Sequence, residues 1–169
     1  RRGVPAQRGN NLTMLVMKSS AALAAIAVVF FCTAPSVSEA SERARSNSEI
    51  RCLAEMVYHE ARGESTAGQE AVAEVIINRA EHPSYPSNLC SVVRQKGQFS
   101  PHKAIREKAA FRKATDVAER VASGEAADKT SGATHFHTPG VSPSWSRKFE
   151  RTRQIGSHIF YRQSRSASR

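Results

Sequence analysis

The chain has 169 residues, 40% of them hydrophobic, and carries 25 Lys and Arg against 15 Asp and Glu, a formal net charge of +10. That length holds one modest domain rather than two once an amino-terminal export segment is set aside. The basic excess suits polyanions such as nucleic acid, an anionic membrane or an acidic wall polymer, but no nucleic-acid motif accompanies it, which argues against nucleic acid as a partner.

Residues 1–13 are polar and basic and lead into Met14 and Met17, which leaves the true start codon open. Lys18 then precedes an apolar run through Ala21, Leu23, Ile26, Val28 and Phe30, and Ser38 and Ala40 supply the small residues of a cleavage site. Residues 1–40 therefore read as an N-terminal extension and secretory signal cut after Ala40, too short for a confident membrane span, with an uncleaved anchor as the alternative. Phe31, bulky where a lipoprotein site needs a small residue, argues against lipid attachment at Cys32. With Arg1, Arg2, Arg8, Lys18 and Glu39 removed, residues 41–169 keep 21 basic against 14 acidic residues. The same cut leaves Cys52 and Cys90 as a pair in an oxidising compartment, where a disulfide is favoured over two free thiols. Neither has CxxC spacing, so no redox or zinc role is expected.

After a linker over 41–48, Glu49–Arg79 reads as two packed helices. Ile50, Leu53, Val57 and Ala61 recur at helical spacing and form an apolar stripe. Glu60 falls on the edge of that stripe. A carboxylate carried toward a core must be paired or neutral, and desolvation moves such a group toward the range in which it acts as an acid at neutral pH. Arg51, Arg62 and Arg79 are available as partners, and pairing with any of them gives Glu60 a structural role instead. Gly63 is placed as a helix-ending glycine, and Ser65 or Thr66 as the cap of the next helix, with Gln69 or Glu70 closing a capping box. Ala71, Val75 and Asn78 line one side of that helix, flanked by Val72 and Ile76.

A proline-fixed loop, His82–Ser87, follows, then a short helical turn at Leu89–Val93 and an exposed loop over 95–101. In that loop Gln98 and Ser100 offer hydrogen bonds and Phe99 offers either a flat face for a sugar ring or a core anchor. Ala104–Ser123 is the clearest amphipathic helix, with Ile105, Ala109, Val117 and Val121 inward and Gly124 ending it. Ala133–Thr138 alternates as a strand with His135 and His137 on one face. Trp145 opens a short helical stretch, and Ile155–Arg162 alternates again, so the two strands are expected to pair as a small antiparallel hairpin. Two histidines on one face with Glu60 invite a zinc reading, but the residue four after His59 is Gly63, so no HExxH motif exists and no metal or other cofactor is assigned.

The run YHEARGESTAGQEAVAEVIINR, with HPSYPSNLCSVV, GQFS and the closing GATHFHTPGVSPSWSRKFERTRQIGSHIFYR, resembles the SleB-like cell-wall hydrolase family over roughly Arg51–Arg162. The resemblance implies an α+β, mainly helical, lysozyme-like single domain with a small β-hairpin, spanning 49–163 ahead of a basic tail at 164–169. It implies an enzyme that cuts peptidoglycan between N-acetylmuramic acid and N-acetylglucosamine, with Glu60 as catalytic acid; with the signal segment this makes the expected location exported, periplasmic or extracellular and wall-associated, and leaves any regulatory protein unidentified. Substrate contacts are expected from Glu64, Gln98, Phe99, Ser100, His135, His137 and Trp145. Glu64 and Glu74 are the nearest candidates for a second carboxylate. Without one, the implied reaction is that of a lytic transglycosylase. The chain departs from the family in having Gly97 where a cysteine often precedes QFS. The rival readings are a catalytically silent wall-binding module and a metal-dependent peptidoglycan amidase.

Overall fold

The computed structural model describes residues 37–99 and 104–164, with side chains from residue 46 onward. The expected signal up to residue 36, Cys32 included, and Ser100 lie outside them. The described chain is mainly helical with a three-stranded antiparallel sheet.

Helix α1, Val37–Ala61, begins well ahead of the apolar stripe and so includes the stretch 41–48 expected as a linker. Its buried face is Leu53, Ala54, Met56, Val57 and Tyr58. Gly63 follows without the left-handed conformation of a capping glycine. The turn is closed instead by Glu64 N–H donating to Ala61 O at 2.9 Å and by the buried Gln69 amide donating to Glu64 O at 3.1 Å. Gln69 is thereby drawn away from Ser65, whose hydroxyl caps helix α2, Thr66–Ala80, by accepting from Gly68 N; the expected capping box stays open.

Helix α3, Leu89–Val93, is capped by Asn88, and a Cys52–Cys90 disulfide ties it to α1. Helix α4, Lys108–Ala122, starts later than the periodicity suggests, because Arg106 and Glu107 donate their backbone N–H groups to the buried Tyr58 hydroxyl. That later start leaves Ala109 exposed, and Ala114, Val117, Ala118 and Val121 form the buried face. Gly124, at φ +76°, ends the helix as expected. Helices α1, α2, α3 and α4 share one apolar cluster built on Leu53, Met56, Val57, Ile76 and Val92, with Val117 and Val121 from α4.

The sheet runs in the order β1 (His135–His137), β3 (His158–Arg162), β2 (Glu150–Ile155). The expected hairpin partners, His135–His137 and the 155–162 region, do pair, but through a sheet larger by one strand. Ile155 closes β2, and Gly156 at φ +58° with Ser157 makes the two-residue turn that splits the alternating run in two. Phe160, Ala133, Phe136 and Ile155 pack this sheet on Ala71, Val72 and Val75 of α2. Two side chains near the end of α2 fasten β1: Asn78 Nδ2 donates to Ala133 O at 3.1 Å and Arg79 Nε to Thr134 O at 2.6 Å. Among the described residues no helix is long and apolar enough to cross a membrane.

Candidate active site

The two layers leave a cleft of about 460 Å³ where the end of α1, the end of α2, the 97–99 loop and β1 converge. Glu60 enters it from α1, Arg79 from α2, Gln98 and Phe99 from the loop, His135 and His137 from β1, Trp145 from the 3₁₀ turn Ser144–Arg147, and His158 from β3. The fold thus gathers Glu60, Gln98, Phe99, His135, His137 and Trp145 from the sequence reading into one place.

Glu60 is partly buried and forms no ion pair among the described residues. Two of the arginines offered as its partners are engaged elsewhere: Arg51 with Glu55 and Arg62 with Glu107, each at 3.0 Å. Among the described residues Glu60 is the only carboxylate in the cleft lining. Glu64 lies outside that lining. Its carboxylate accepts from the Ser157 hydroxyl and backbone N–H at the β2–β3 turn, and these bonds, the hydroxyl first, hold it below the usual carboxylate range. A side chain at Gly156 would collide with the Glu64 carboxylate, so glycine there serves both the turn and this contact.

Glu74 is also absent from the cleft lining and is only 6% exposed. Burial first, then Asp128, Glu81 and Glu70, raise it from 4.5 to about 7, against a smaller opposing pull from Lys129. Neighbouring Glu70 is satisfied by Arg120 at 3.0 Å and Lys129 at 2.5 Å. A carboxyl whose folded pKa lies above its unfolded one contributes stability in full below about pH 4.5 and loses it as pH rises through about 7. Unfolding free energies measured at pH 5 and pH 8.5 should therefore differ by about 1–3 kcal/mol more in the parent chain than in Glu74→Gln. Equal differences in the two proteins would show that Glu74 is not carrying the effect.

The aromatic side of the cleft is built on β1. His135 sits 4.8 Å from the Trp145 ring and 4.7 Å from Phe149, and His137 stacks on Tyr161 at 5.1 Å. His137 Nδ1 donates to Thr138 O at 2.8 Å, so Nε2 of the singly protonated ring accepts from the Tyr161 hydroxyl at 3.1 Å. Burial first, then the charge of Arg79 and His82, pushes His135 down to about 4. His158 is lowered by burial, with Glu64 and Glu60 pulling the other way. Both rings are thus biased toward the neutral form. Phe99 combines its two expected roles, packing against the helical core while lining the cleft under the Arg79 guanidinium, 4.9 Å from its ring.

No group of three or more His, Cys, Asp or Glu converges to hold a metal among the described residues. His59, the neighbour of Glu60 in sequence, lines a different depression with Tyr58, Arg62 and Glu107.

Arg79 and His158 were missed as site residues. Arg79 had a readable signal: it follows Val72, Val75 and Ile76 at apolar-stripe spacing, an odd place for an arginine. His158 had none, because only the Gly156 turn decides which way the ring faces.

A sequence profile described as Cell Wall Hydrolase matches residues 63–161. The spore cortex-lytic enzyme of Halalkalibacterium halodurans is 34% identical over 122 residues, 68% of this chain and 35% of that protein. That of Bacillus subtilis is 32% identical over 120 residues, covering 68% and 38%. The chain thus spans little more than a third of these two relatives and less than half of the other curated relatives it matches. The solved catalytic domain of the Bacillus cereus SleB protein superposes with a TM-score of 0.56 at 27% identity, covering 69% of this chain and 91% of that one. The catalytic domain of a germination-specific lytic transglycosylase, SleB from Bacillus anthracis, gives the same TM-score at 28% identity, covering 68% and 93%. Sequence and fold together define a mainly helical α+β domain of the kind found in wall-lytic proteins. This chain belongs to the cell wall hydrolase family.

Proposed function

We propose that this domain cleaves the glycan strand of peptidoglycan between N-acetylmuramic acid and N-acetylglucosamine as a lytic transglycosylase, with Glu60 as its single acid and base. The observation that carries this reading is the cleft lining, in which Glu60 is the one carboxylate among the described residues. A glycosidase that activates water or forms a glycosyl-enzyme needs a second carboxylate roughly 5–9.5 Å away. Glu64 and Glu74 are both committed elsewhere.

With one carboxyl, the atoms balance without water. Protonated Glu60 gives its proton to the glycosidic oxygen as the C1–O bond breaks and positive charge spreads over C1 and the ring oxygen. The resulting Glu60 carboxylate then takes the proton of the C6 hydroxyl as O6 bonds to C1, leaving a 1,6-anhydro end and a reset enzyme. His135 and His158, held toward the neutral form, add little positive charge beside the reacting centre. Phe99 and Trp145 offer ring faces to the sugars, and Gln98, His135 and His137 offer polar edges. The name of the Bacillus anthracis relative supports the same chemistry. The Cys52–Cys90 bond supports export to an oxidising compartment.

Mass spectrometry of muropeptides released from purified sacculi tests the reading. Anhydro ends, lighter than their reducing counterparts by one water, are expected. Reducing ends instead would overturn the single-carboxyl chemistry, and sacculus binding with no release of glycan would favour the silent binding module.

A further inference from the structure

Arg79 is 3% exposed and forms no ion pair among the described residues. Its Nε is used by Thr134 O at 2.6 Å, and its guanidinium carbon lies 5.3 Å from the Tyr85 ring centroid and 4.9 Å from that of Phe99. Its Nη1 is buried with no hydrogen-bond partner. Leaving a charged donor buried and unbonded is costly, and two ring faces do not satisfy an in-plane N–H. Burial correspondingly disfavours its charge. Yet the residue lines the same cleft as Glu60, so a ligand entering the cleft meets it.

A guanidinium only donates, so whatever completes it is an acceptor. With two aromatic rings near its guanidinium carbon and Nη1 still without a partner, it has an in-plane donor to offer, which suits a planar acyl oxygen better than a sugar hydroxyl. We propose that Arg79 is a specificity-determining residue whose buried, incompletely bonded guanidinium edge binds an acyl oxygen of the glycan's own substituents, the N-acetyl carbonyl or the lactyl carbonyl. This rests on the glycan-cleaving reading of the Glu60 cleft and adds to it the group by which the strand is recognised. Burial, the Thr134 bond and the two nearby rings hold the guanidinium before the ligand arrives, so little side-chain freedom is lost on binding.

The test is co-sedimentation of the full-length Glu60→Gln protein with three preparations of sacculi: intact, chemically N-deacetylated, and stripped of stem peptides so that the lactyl group ends in a carboxylate. High salt screens the amines that deacetylation exposes. If the N-acetyl oxygen is the acceptor, deacetylation weakens binding by about tenfold. If the lactyl oxygen is, stripping strengthens it by a similar factor. In either case the difference vanishes in Glu60→Gln/Arg79→Lys, which keeps the charge and loses the fork. A double variant that keeps the difference overturns the proposal, as does Glu60→Gln binding all three preparations equally. A Glu60→Gln protein that binds none of them removes the glycan reading itself, and the anchor with it. Because Arg79→Lys also loosens the tie to Thr134, a second measurement avoids the variant. The Arg79 side-chain N–H signals of 15N-labelled Glu60→Gln protein should shift with N-acetylated muroglycan fragments, or with their lactyl carboxylate forms. Signals unmoved by either would overturn the proposal.

Discussion

Replacing Glu60 with Gln should slow the release of soluble muropeptides from sacculi by about 10²–10⁴-fold, the span that a positioned general acid contributes. The amide matches the carboxyl in shape but has no proton of comparable acidity to give and no charge with which to take one back. The loss should therefore appear in both the bond-breaking and the ring-closing half of the reaction. It should appear in turnover and not in binding, because the cleft's ring faces and Arg79 remain in place. Glu60 forms no ion pair among the described residues, so thermal stability should stay near that of the parent chain. Release at the parental rate would remove Glu60 from the chemistry. A large drop in melting temperature would return it to a structural role.

The second large effect concerns the Cys52–Cys90 bond. Its loop spans 38 residues and encloses the turn after α1, all of α2 and the proline loop, so the cross-link restrains much of the unfolded chain's freedom. The loop-closure relation gives about 3–4 kcal/mol for a ring of that size. Converting both cysteines to Ala should lower the urea unfolding free energy by that amount and the melting temperature by roughly 10–15 °C. The double variant and the reduced parent should coincide. A loss below about 1 kcal/mol would mean that the helical packing already restrains the unfolded chain as strongly as the bond does.

The helices were legible because their burial is periodic. Leu53, Val57 and Ala61 mark α1, and Ser65 marks the start of α2 without help from any distant residue. Glu60 was legible for the same reason, as a charge at the margin of a stripe. Strand β2 was not: Glu150–Ile155 reads ERTRQI, lies at the sheet edge and buries little, so it carries no apolar alternation to find. Its absence from the sequence reading merged Ile155 into the next strand and hid the turn at Gly156 that brings Ser157 to Glu64. Glu64 sits beside Gly63 in an ARGE motif, and its engagement follows from a residue 93 positions away, which local spacing does not reveal. The cleft has the same origin: α1, α2 and β1 each contribute one face, and their convergence is a property of packing.

The position of the disulfide along α1 has a mechanical consequence. Cys52 lies about 12 Å before Glu60 along the helix axis, at 1.5 Å per residue. From Val37 to Arg51 the helix therefore runs on the far side of a covalent tether to α3. A pull or torque applied through that leading segment meets the Glu49 contacts to Asn88 and Leu89 and the Cys52–Cys90 link before it meets Glu60, and both ties lead into α3. The two helical turns that carry Glu60 lie beyond both ties. Such a load thus has a route into α3 that bypasses the helical turns bearing Glu60.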